Sequence, residues 1–180
     1  METKKEQIAE VFKKHVTHFG YKKTSVDEIA KELKISKKTI YKFFNTKEKI
    51  FYYVIGKIAN QLCKKMEKDI NKFDTQTEKI TQLVAIIFSE TKKWLKKGND
   101  AFEFKYKFEI AELSFKEAYN ELFLKLIIEG IEKKEFEIAD PKLIISFING
   151  IFSESMKLVS VNPEINIEKD VITAILKLLK

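Results

Sequence analysis

The scarcity of helix-breaking residues is the feature that most restricts what this chain can fold into. Among 180 residues there are 2 Pro and 5 Gly, and the first proline is Pro141. No segment alternates β-branched and polar residues in the way that half-buried strands do. We therefore expect an all-α fold, because long stretches without breakers favour helices.

Helix-start signals divide the chain into about nine predicted helices. The signal is a Ser, Thr, Asp or Asn that can cap a helix, in most cases with an acidic residue three positions later. A separate short helix is predicted over about 101–113, between Gly98-Asn99-Asp100 and Ser114. The predicted N-caps are Thr3, Thr24, Ser36, Asn45, Thr75, Ser114, Asp140 and Asn166.

Positive charge is concentrated in the first quarter of the chain. Residues 1–50 contain 13 Lys against 7 acidic residues, whereas residues 51–180 contain 21 Lys against 20 acidic residues. An ordinary solvated lysine-rich surface would show no such asymmetry. The pattern indicates a basic head that binds nucleic acid, attached to a nearly neutral body.

Two short predicted helices behind a supporting first helix form a helix-turn-helix pattern near the N-terminus. The second helix, Lys37 to about Phe43, is the one that would enter the major groove. Ile40 and Phe44 are expected to face inward. The donors that it offers to phosphates or base edges are Lys37, Lys38, Thr39 and Lys42, with the Tyr41 hydroxyl between them.

These residues resemble the DNA-binding signature of the tetracycline-repressor (TetR) family over about residues 8–55. The resemblance implies that Lys38, Thr39, Tyr41 and Lys42 contact an operator in double-stranded DNA. It also implies that Thr24, Ser25 and Lys47 hold the DNA backbone. The matching residues, in order, are Gly20-Tyr21, Thr24-Ser25-Val26, Ile29-Ala30, Ile35-Ser36-Lys37, Thr39-Ile40-Tyr41, Phe44 and Lys47-Glu48.

The resemblance also implies a domain organisation and a mechanism. Residues 1–46 would be a three-helix DNA-binding domain, and residues 47–180 a helical ligand-binding and dimerisation domain. A small, apolar effector would shift the protein towards a state that releases the operator, which makes the protein a repressor. The helix that starts near Lys47 would carry the signal between the two domains.

Several positions depart from the family pattern, and one of them bears on the turn. Lys34 stands where the turn between the two short helices usually has Gly. A left-handed backbone at a lysine costs about 1 kcal/mol.

An aromatic-rich stretch of the body is the candidate ligand pocket, since small-molecule sites are largely apolar. Most such side chains are simply core residues in any helical bundle, and that alternative stays open here. The residues predicted to bind the ligand are Phe88, Phe104, Phe108, Tyr119 and Phe147.

Two C-terminal amphipathic helices, over about 141–159 and 167–179, are predicted to form a homodimer. Paired with their copies they would make a four-helix bundle that covers both apolar faces. The alternative is a core role within one subunit. The predicted faces are Leu143, Phe147, Ile151 and Leu158 on one helix, and Val171, Ile175, Leu178 and Leu179 on the other.

Several other classes of protein are not expected. We see no phosphate loop, catalytic triad or supported carboxylate pair, so we expect no enzyme activity and no cofactor. His15 and His18 have a spacing that can hold a metal, yet no Cys or nearby acid completes the site, so they are expected to be ordinary histidines. Cys63 is expected to be an inert thiol in a reducing compartment.

The expected location is cytoplasmic, without a membrane segment. The longest apolar run is Leu83 to Phe88, which is far too short to span a bilayer. Two alternative functions remain at this point. One is a DNA-binding regulator controlled by a protein partner, and the other is a helical protein that binds a lipid-like ligand without specific DNA binding.

Overall fold

The described part of the chain is entirely helical. The computed structural model describes the backbone of residues 3–96 and 101–180, and the side chains of residues 3–93, 113, 114 and 116–180. The eight helices found there are α1 (Lys4–Phe19), α2 (Val26–Glu32), α3 (Lys37–Phe43), α4 (Lys47–Ile70), α5 (Gln76–Lys96), α6 (Ala101–Glu132), α7 (Pro141–Val161) and α8 (Glu168–Leu178). The all-α prediction is confirmed.

The sequence predicted about nine helices, and the described residues contain eight. The difference lies in α6. The sequence predicted a break before Ser114, but α6 runs without interruption from Ala101 to Glu132 and Ser114 is buried within it. A capping pattern starts a helix only where the preceding residues leave helical geometry. No Gly or Pro precedes Ser114 within α6, so the helix continues through it.

Three predicted N-caps are displaced by one residue. Ser25 caps α2 by accepting a hydrogen bond from the backbone N–H of Glu28, in place of Thr24. Thr46 accepts from the N–H of Lys49 at the start of α4, in place of Asn45. The residue that precedes α8 is Ile167, which has no side-chain cap, in place of Asn166.

The chain divides into two compact units. Unit 1 comprises residues 1–60 and 99–115, and unit 2 comprises residues 61–98 and 116–180. Helix α4 begins in unit 1 and ends in unit 2. The predicted domain boundary between residues 46 and 47 falls at the start of this helix and stays a prediction.

The core of unit 1 is built from α1, α2, α3 and the first half of α4. Helix α1 starts with the predicted capping box between Thr3 and Glu6 and ends at Gly20, which has a φ of 81°. Phe12 forms the centre of an aromatic group, with its ring centroid 6.4 Å from Tyr21 and 6.5 Å from Phe51. These contacts join α1 to α4 and to the loop that leads into α2.

The turn between α2 and α3 has the left-handed residue that the sequence predicted. Lys34 has a φ of 54°. Its N–H donates to the carbonyl of Lys31, and the N–H of Ile35 donates to the carbonyl of Ala30. This is a Schellman ending, which a glycine would form at a lower cost.

The core of unit 2 is apolar and rich in aromatic rings. Phe88 is completely buried, and its ring centroid lies 6.3 Å from that of Phe152, which lies 5.7 Å from that of Phe123. Helix α8 packs against α5 and α7. Its apolar residues Val171 and Ile175 are therefore part of the core of one subunit.

The connection after α6 is locked to the start of α5. Lys134 has a φ of 59°, and the N–H of Glu135 donates to the carbonyl of Gly130 over 2.8 Å. The carboxylate of Glu135 accepts hydrogen bonds from the backbone N–H groups of Gln76 and Thr77 at the first turn of α5. A carboxylate there is favoured by the partial positive charge of a helix N-terminus.

One described helix, Pro141–Val161, is long and apolar enough to cross a membrane by length and composition, which by itself is weak evidence for a membrane span. Helix α7 starts as predicted, with Asp140 capping the N–H groups of Lys142 and Leu143.

Candidate nucleic-acid interface

Helix α3 presents a polar and aromatic surface and buries the two residues that were predicted to face inward. Ile40 and Phe44 are buried in the core of unit 1. Lys38, Tyr41 and Lys42 are exposed. The capping prediction is also confirmed, since the Ser36 hydroxyl accepts a hydrogen bond from the N–H of Thr39 over 3.1 Å.

Lys37 is paired within unit 1. Its ammonium nitrogen lies 2.9 Å from a carboxylate oxygen of Asp27, and both side chains are exposed. The hydrogen bond to Asp27 raises the pKa of Lys37. Exposed ion pairs of this kind contribute little to the free energy of folding. The pair joins α3 to α2, and breaking it would cost little stability.

Thr39 shares its hydroxyl with its own helix cap. The hydroxyl oxygens of Ser36 and Thr39 lie 2.8 Å apart, the distance of a good hydrogen bond. The Thr39 hydroxyl therefore already makes one hydrogen bond within the protein.

The two residues at the start of α2 differ in their surroundings. The Thr24 side chain is 1% exposed, and its hydroxyl donates to the carbonyl of Gly20 over 2.8 Å. Its backbone N–H donates to the same carbonyl. Ser25 is half-buried and caps α2. Thr24 thus ties the end of α1 to the start of α2, a role that sequence reasoning missed.

Lys47 lies at the first position of α4, beside Tyr21. Its ammonium group donates to the Tyr21 carbonyl over 2.6 Å and lies 4.1 Å from the centroid of the Tyr21 ring. The Tyr21 hydroxyl in turn donates to Glu48 over 3.1 Å. A cation above an aromatic face is stabilised there, so Lys47 has a fixed position on the surface next to the helix-turn-helix.

A polar tie between α1 and α2 was not predicted. Nε2 of His15 lies 2.7 Å from one carboxylate oxygen of Glu32, and the Lys14 ammonium donates to the other over 2.9 Å. The hydrogen bonds from Lys14 and His15 lower the pKa of Glu32. The three side chains also line an open cleft of about 630 Å³ at the C-terminal half of α1.

His15 and His18 belong to this cleft. Within the described residues, no group of three or more His, Cys, Asp or Glu side chains is arranged to hold a metal ion. The exposed ring of Phe19 packs edge-on to His18, with centroids 4.8 Å apart.

Of the five residues predicted to bind a ligand, three have described side chains. Phe88 is buried in the core of unit 2, whereas Phe147 is 49% exposed on α7. Tyr119 is half-buried, and burial raises the pKa of its hydroxyl. The side chains of Phe104 and Phe108 on α6 lie outside the described residues. The predicted pocket therefore stays a prediction.

The predicted dimer faces differ between the two C-terminal helices. On α7, Leu143, Phe147 and Leu158 are exposed. On α8, Val171, Ile175 and Leu179 are buried within unit 2, in agreement with the core alternative. Sequence periodicity gave both helices an apolar face, but only packing distinguishes a face that covers the core from one that is left open.

Cys63 is buried in unit 2. Burial, followed by the nearby carboxylates of Glu121 and Glu67, raises the pKa of its thiol to about 12. Since the thiolate is the reactive form, this environment disfavours reactivity.

Comparison with known proteins finds relatives of the N-terminal part of this chain. The sequence profile of the bacterial regulatory proteins of the tetR family matches residues 9–54. An uncharacterized HTH-type transcriptional regulator, YhgD of Bacillus subtilis, is 35% identical over 65 residues, which are 36% of this chain and 34% of that protein. The fatty acid metabolism regulator protein of the same organism is 30% identical over 83 residues, which are 46% of this chain and 43% of that protein. The chain thus matches less than half the length of these curated relatives.

Solved structures share the whole fold at low sequence identity. The resorcinol complex of RolR has a TM-score of 0.73 at 13% identity, and covers 97% of this chain and 86% of that one. The Bacillus subtilis regulator FadR with stearoyl-CoA has a TM-score of 0.57 at 24% identity, and covers 96% of both chains. These solved structures show that the fold is shared, and the profile match over residues 9–54 shows that the segment containing the helix-turn-helix is similar to the bacterial regulatory proteins of the tetR family.

Proposed function

We propose that this protein is a homodimeric transcriptional regulator that binds an operator through α3 and releases it when a small molecule binds unit 2. The observation that carries the proposal is the exposed lysine and aromatic surface of α3, held by buried Ile40 and Phe44. The match of residues 9–54 to a family of regulatory proteins supports it.

The proposed DNA contacts fall into two classes. Lys38, Tyr41 and Lys42 are exposed on α3 and would face the major groove. Ser25 and Lys47 would contact the DNA backbone, and Lys37 would do so by exchanging Asp27 for a phosphate. Thr39 would contact a base edge with the outer side of its side chain. We leave Thr24 out of the contact set, because its hydroxyl and N–H are both bonded to Gly20.

The test is a selection of bound duplexes from a random-sequence pool, followed by affinity measurements on the selected duplex. Lys42→Ala should weaken specific binding by about 5- to 150-fold, since a base contact contributes about 1–3 kcal/mol. Lys47→Ala should weaken binding to all duplexes alike and lower the salt slope by about one unit.

Lys68→Ala is the matched control, because Lys68 is an exposed lysine near the far end of α4. Its affinity should equal that of the unmodified protein. Failure of the protein to enrich any sequence, or equal enrichment by Lys42→Ala, would contradict the proposal.

Dimerisation is proposed to use the open face of α7. The exposed apolar residues on this helix are Leu143, Phe147, Leu158 and Val161. Exposed large apolar side chains on one helix are typical of an interface. Light scattering should give a dimer at micromolar concentration, and Leu143→Glu should give a monomer with unchanged helix content. A monomer before mutation would contradict this part of the proposal.

The proposed effector is an apolar small molecule, and acyl-CoA thioesters are the first class to test. The relative named above is a fatty acid metabolism regulator, and two FadR structures that resemble this fold contain stearoyl-CoA and lauroyl-CoA. The aromatic core around Phe88, Phe123 and Phe152 is chemically suited to an acyl chain.

Helix α4 is the proposed carrier of the signal, because it begins at Lys47 in unit 1 and ends at Ile70 in unit 2. A coupling of about 1–3 kcal/mol would lower operator affinity about 5- to 150-fold. Operator affinity is measured with and without lauroyl-CoA, stearoyl-CoA and resorcinol, with free CoA as control. A compound that raises the unfolding temperature but leaves operator affinity unchanged would not be an effector.

A further inference from the structure

We propose that α3 recognises thymine methyl groups and that Phe43, a residue absent from the predicted contact set, is the main contact to them. The inference rests on the proposed function, because it names the chemical feature of the operator that α3 contacts. Phe43 is 42% exposed at the last turn of α3.

The rows of side chains around α3 define where Phe43 points. Residues four positions apart lie above one another on a helix. The row of Ile40 and Phe44 is buried in unit 1. The row of Lys38 and Lys42 therefore lies on the outer side of α3, and the rows of Lys37 with Tyr41 and of Thr39 with Phe43 flank it. All of these flanking residues belong to the surface that would enter the groove.

The row of Thr39 and Phe43 is largely apolar. Phe43 offers only an aromatic ring, and the Thr39 hydroxyl already lies 2.8 Å from that of Ser36. The most exposed side chain of this row is thus Phe43, while Thr39 is half-buried. On the other flank the exposed Lys37 ammonium is paired with Asp27, and Tyr41 is 39% exposed beside it.

The chemistry of the major groove gives an apolar row one specific partner. Among the four base pairs only those with thymine present an apolar group there, the C5 methyl, while the other groups at the groove floor are donors and acceptors. An aromatic ring against a donor or phosphate would leave that group without a hydrogen bond, which is costly. Against a methyl group the ring buries apolar surface instead.

The rest of α3 adds a second argument. The helix contains no Asn or Gln, and the chain contains no Arg, so neither the usual amide pair with adenine nor the guanidinium fork with guanine is available. Specificity for A·T pairs must therefore come from other groups, and the Phe43 row is suited to supply it.

The experiment removes single methyl groups from the operator. Duplexes enriched by the unmodified protein from a random-sequence pool are resynthesised with each thymine of a half-site replaced in turn by uracil, which keeps the hydrogen-bonding groups. At least one replacement should weaken binding about fourfold, the effect of losing one buried methyl-sized group. The same replacement should have no effect on binding by Phe43→Ala, whereas Phe43→Leu should keep part of it.

Phe19→Ala is the matched control, since Phe19 is a similarly exposed phenylalanine on α1. It should keep the full response to uracil. Far-ultraviolet circular dichroism checks that each variant folds, and the Phe43→Leu variant keeps the test available if Phe43→Ala does not.

Two results would overturn the inference while leaving the proposed function intact. One is a selected operator whose affinity does not change at any thymine-to-uracil replacement. The other is an equal loss of affinity by Phe43→Ala on the thymine and uracil duplexes, which would make Phe43 a contact to sugar or backbone. If no sequence is enriched at all, the proposed function itself fails.

Discussion

Units 1 and 2 are stabilised in different ways. The helices α2 and α3 of unit 1 have 7 residues each, whereas α5 and α7 of unit 2 have 21 residues each. Isolated helices shorter than about 12–15 residues are marginal in water. Unit 1 accordingly has polar ties between its helices, such as Lys37 with Asp27 and His15 with Glu32.

Unit 2 relies more on the packing of long apolar faces. Its buried residues come from α4, α5, α6, α7 and α8, and its polar contacts between elements lie mainly at helix ends, as with Glu135 at the start of α5. The comparison teaches that short elements are specified by local caps and a few defined contacts. Long elements are specified by which of their faces is covered.

The largest expected effect comes from removing the central aromatic residue of each unit. Phe12→Ala and Phe88→Ala should each cost about 3–5 kcal/mol of unfolding free energy, because both side chains are fully buried. Hydrogen exchange measured by mass spectrometry should show lost protection in α1–α3 for Phe12→Ala and in α5 and α7 for Phe88→Ala. Equal loss of protection throughout the chain by either variant would contradict the division into two units.

A glycine comparison within the long helices tests packing in unit 2. A Cβ at Gly130 would lie 2.1 Å from the Phe136 ring, whereas a Cβ at Gly56, in the interior of α4, would meet nothing within 4 Å. Gly130→Ala should therefore destabilise the fold by about 1–3 kcal/mol. Gly56→Ala should stabilise it by about 0.5–1 kcal/mol, because alanine favours a helix interior. Chemical denaturation measures both, and equal effects would show that Phe136 does not pack on Gly130.

The two left-handed lysines allow the same change in both units. Lys34 and Lys134 have φ angles of 54° and 59°. Replacing either by Gly should raise the unfolding free energy by up to about 1 kcal/mol, since glycine has no steric cost in this conformation. Lys64→Gly, in the interior of α4, is the control and should lower stability by about 1 kcal/mol. A loss of stability at Lys34 or Lys134 would contradict their left-handed geometry.

The sequence predicted the fold where the signal was local. Thr3 with Glu6 and Thr75 with Glu78 are capping boxes in the structure as well, because each needs only residues three apart. Ser114 with Glu117 has the same pattern and caps nothing, because the preceding residues remain helical. A four-residue capping pattern contains no information on whether the residues that precede it are helical.

The candidate interface was predictable to the same extent. The inward direction of Ile40 and Phe44 follows from helical spacing and is confirmed. The partners of Lys37 and Lys47 lie 10 and 26 residues away, so no local pattern contains them. The burial of Thr24 and the exposure of Phe43 likewise depend on how neighbouring helices pack.

The smallest expected effect is the acid sensitivity of the tie between α1 and α2. Hydrogen bonds from Lys14 and His15 hold the pKa of Glu32 below its ordinary value of 4.5. A carboxylate whose pKa is lowered on folding stabilises the folded state above the unfolded pKa, and this contribution is lost as the pH falls through the folded pKa. The protection of α2 from hydrogen exchange in the unmodified protein should therefore exceed that in Glu32→Gln at neutral pH, and the difference should shrink as the pH falls below the ordinary carboxyl pKa of 4.5. Glu78→Gln is the matched control in unit 2, because the pKa of Glu78 is lowered by hydrogen bonds from Thr75 in its own helix cap. Its effect should be confined to the first turn of α5, since that contact is local where the Glu32 contact joins two helices. A difference at Glu32 that stays constant or grows on acidification would show that its charge does not hold α1 to α2.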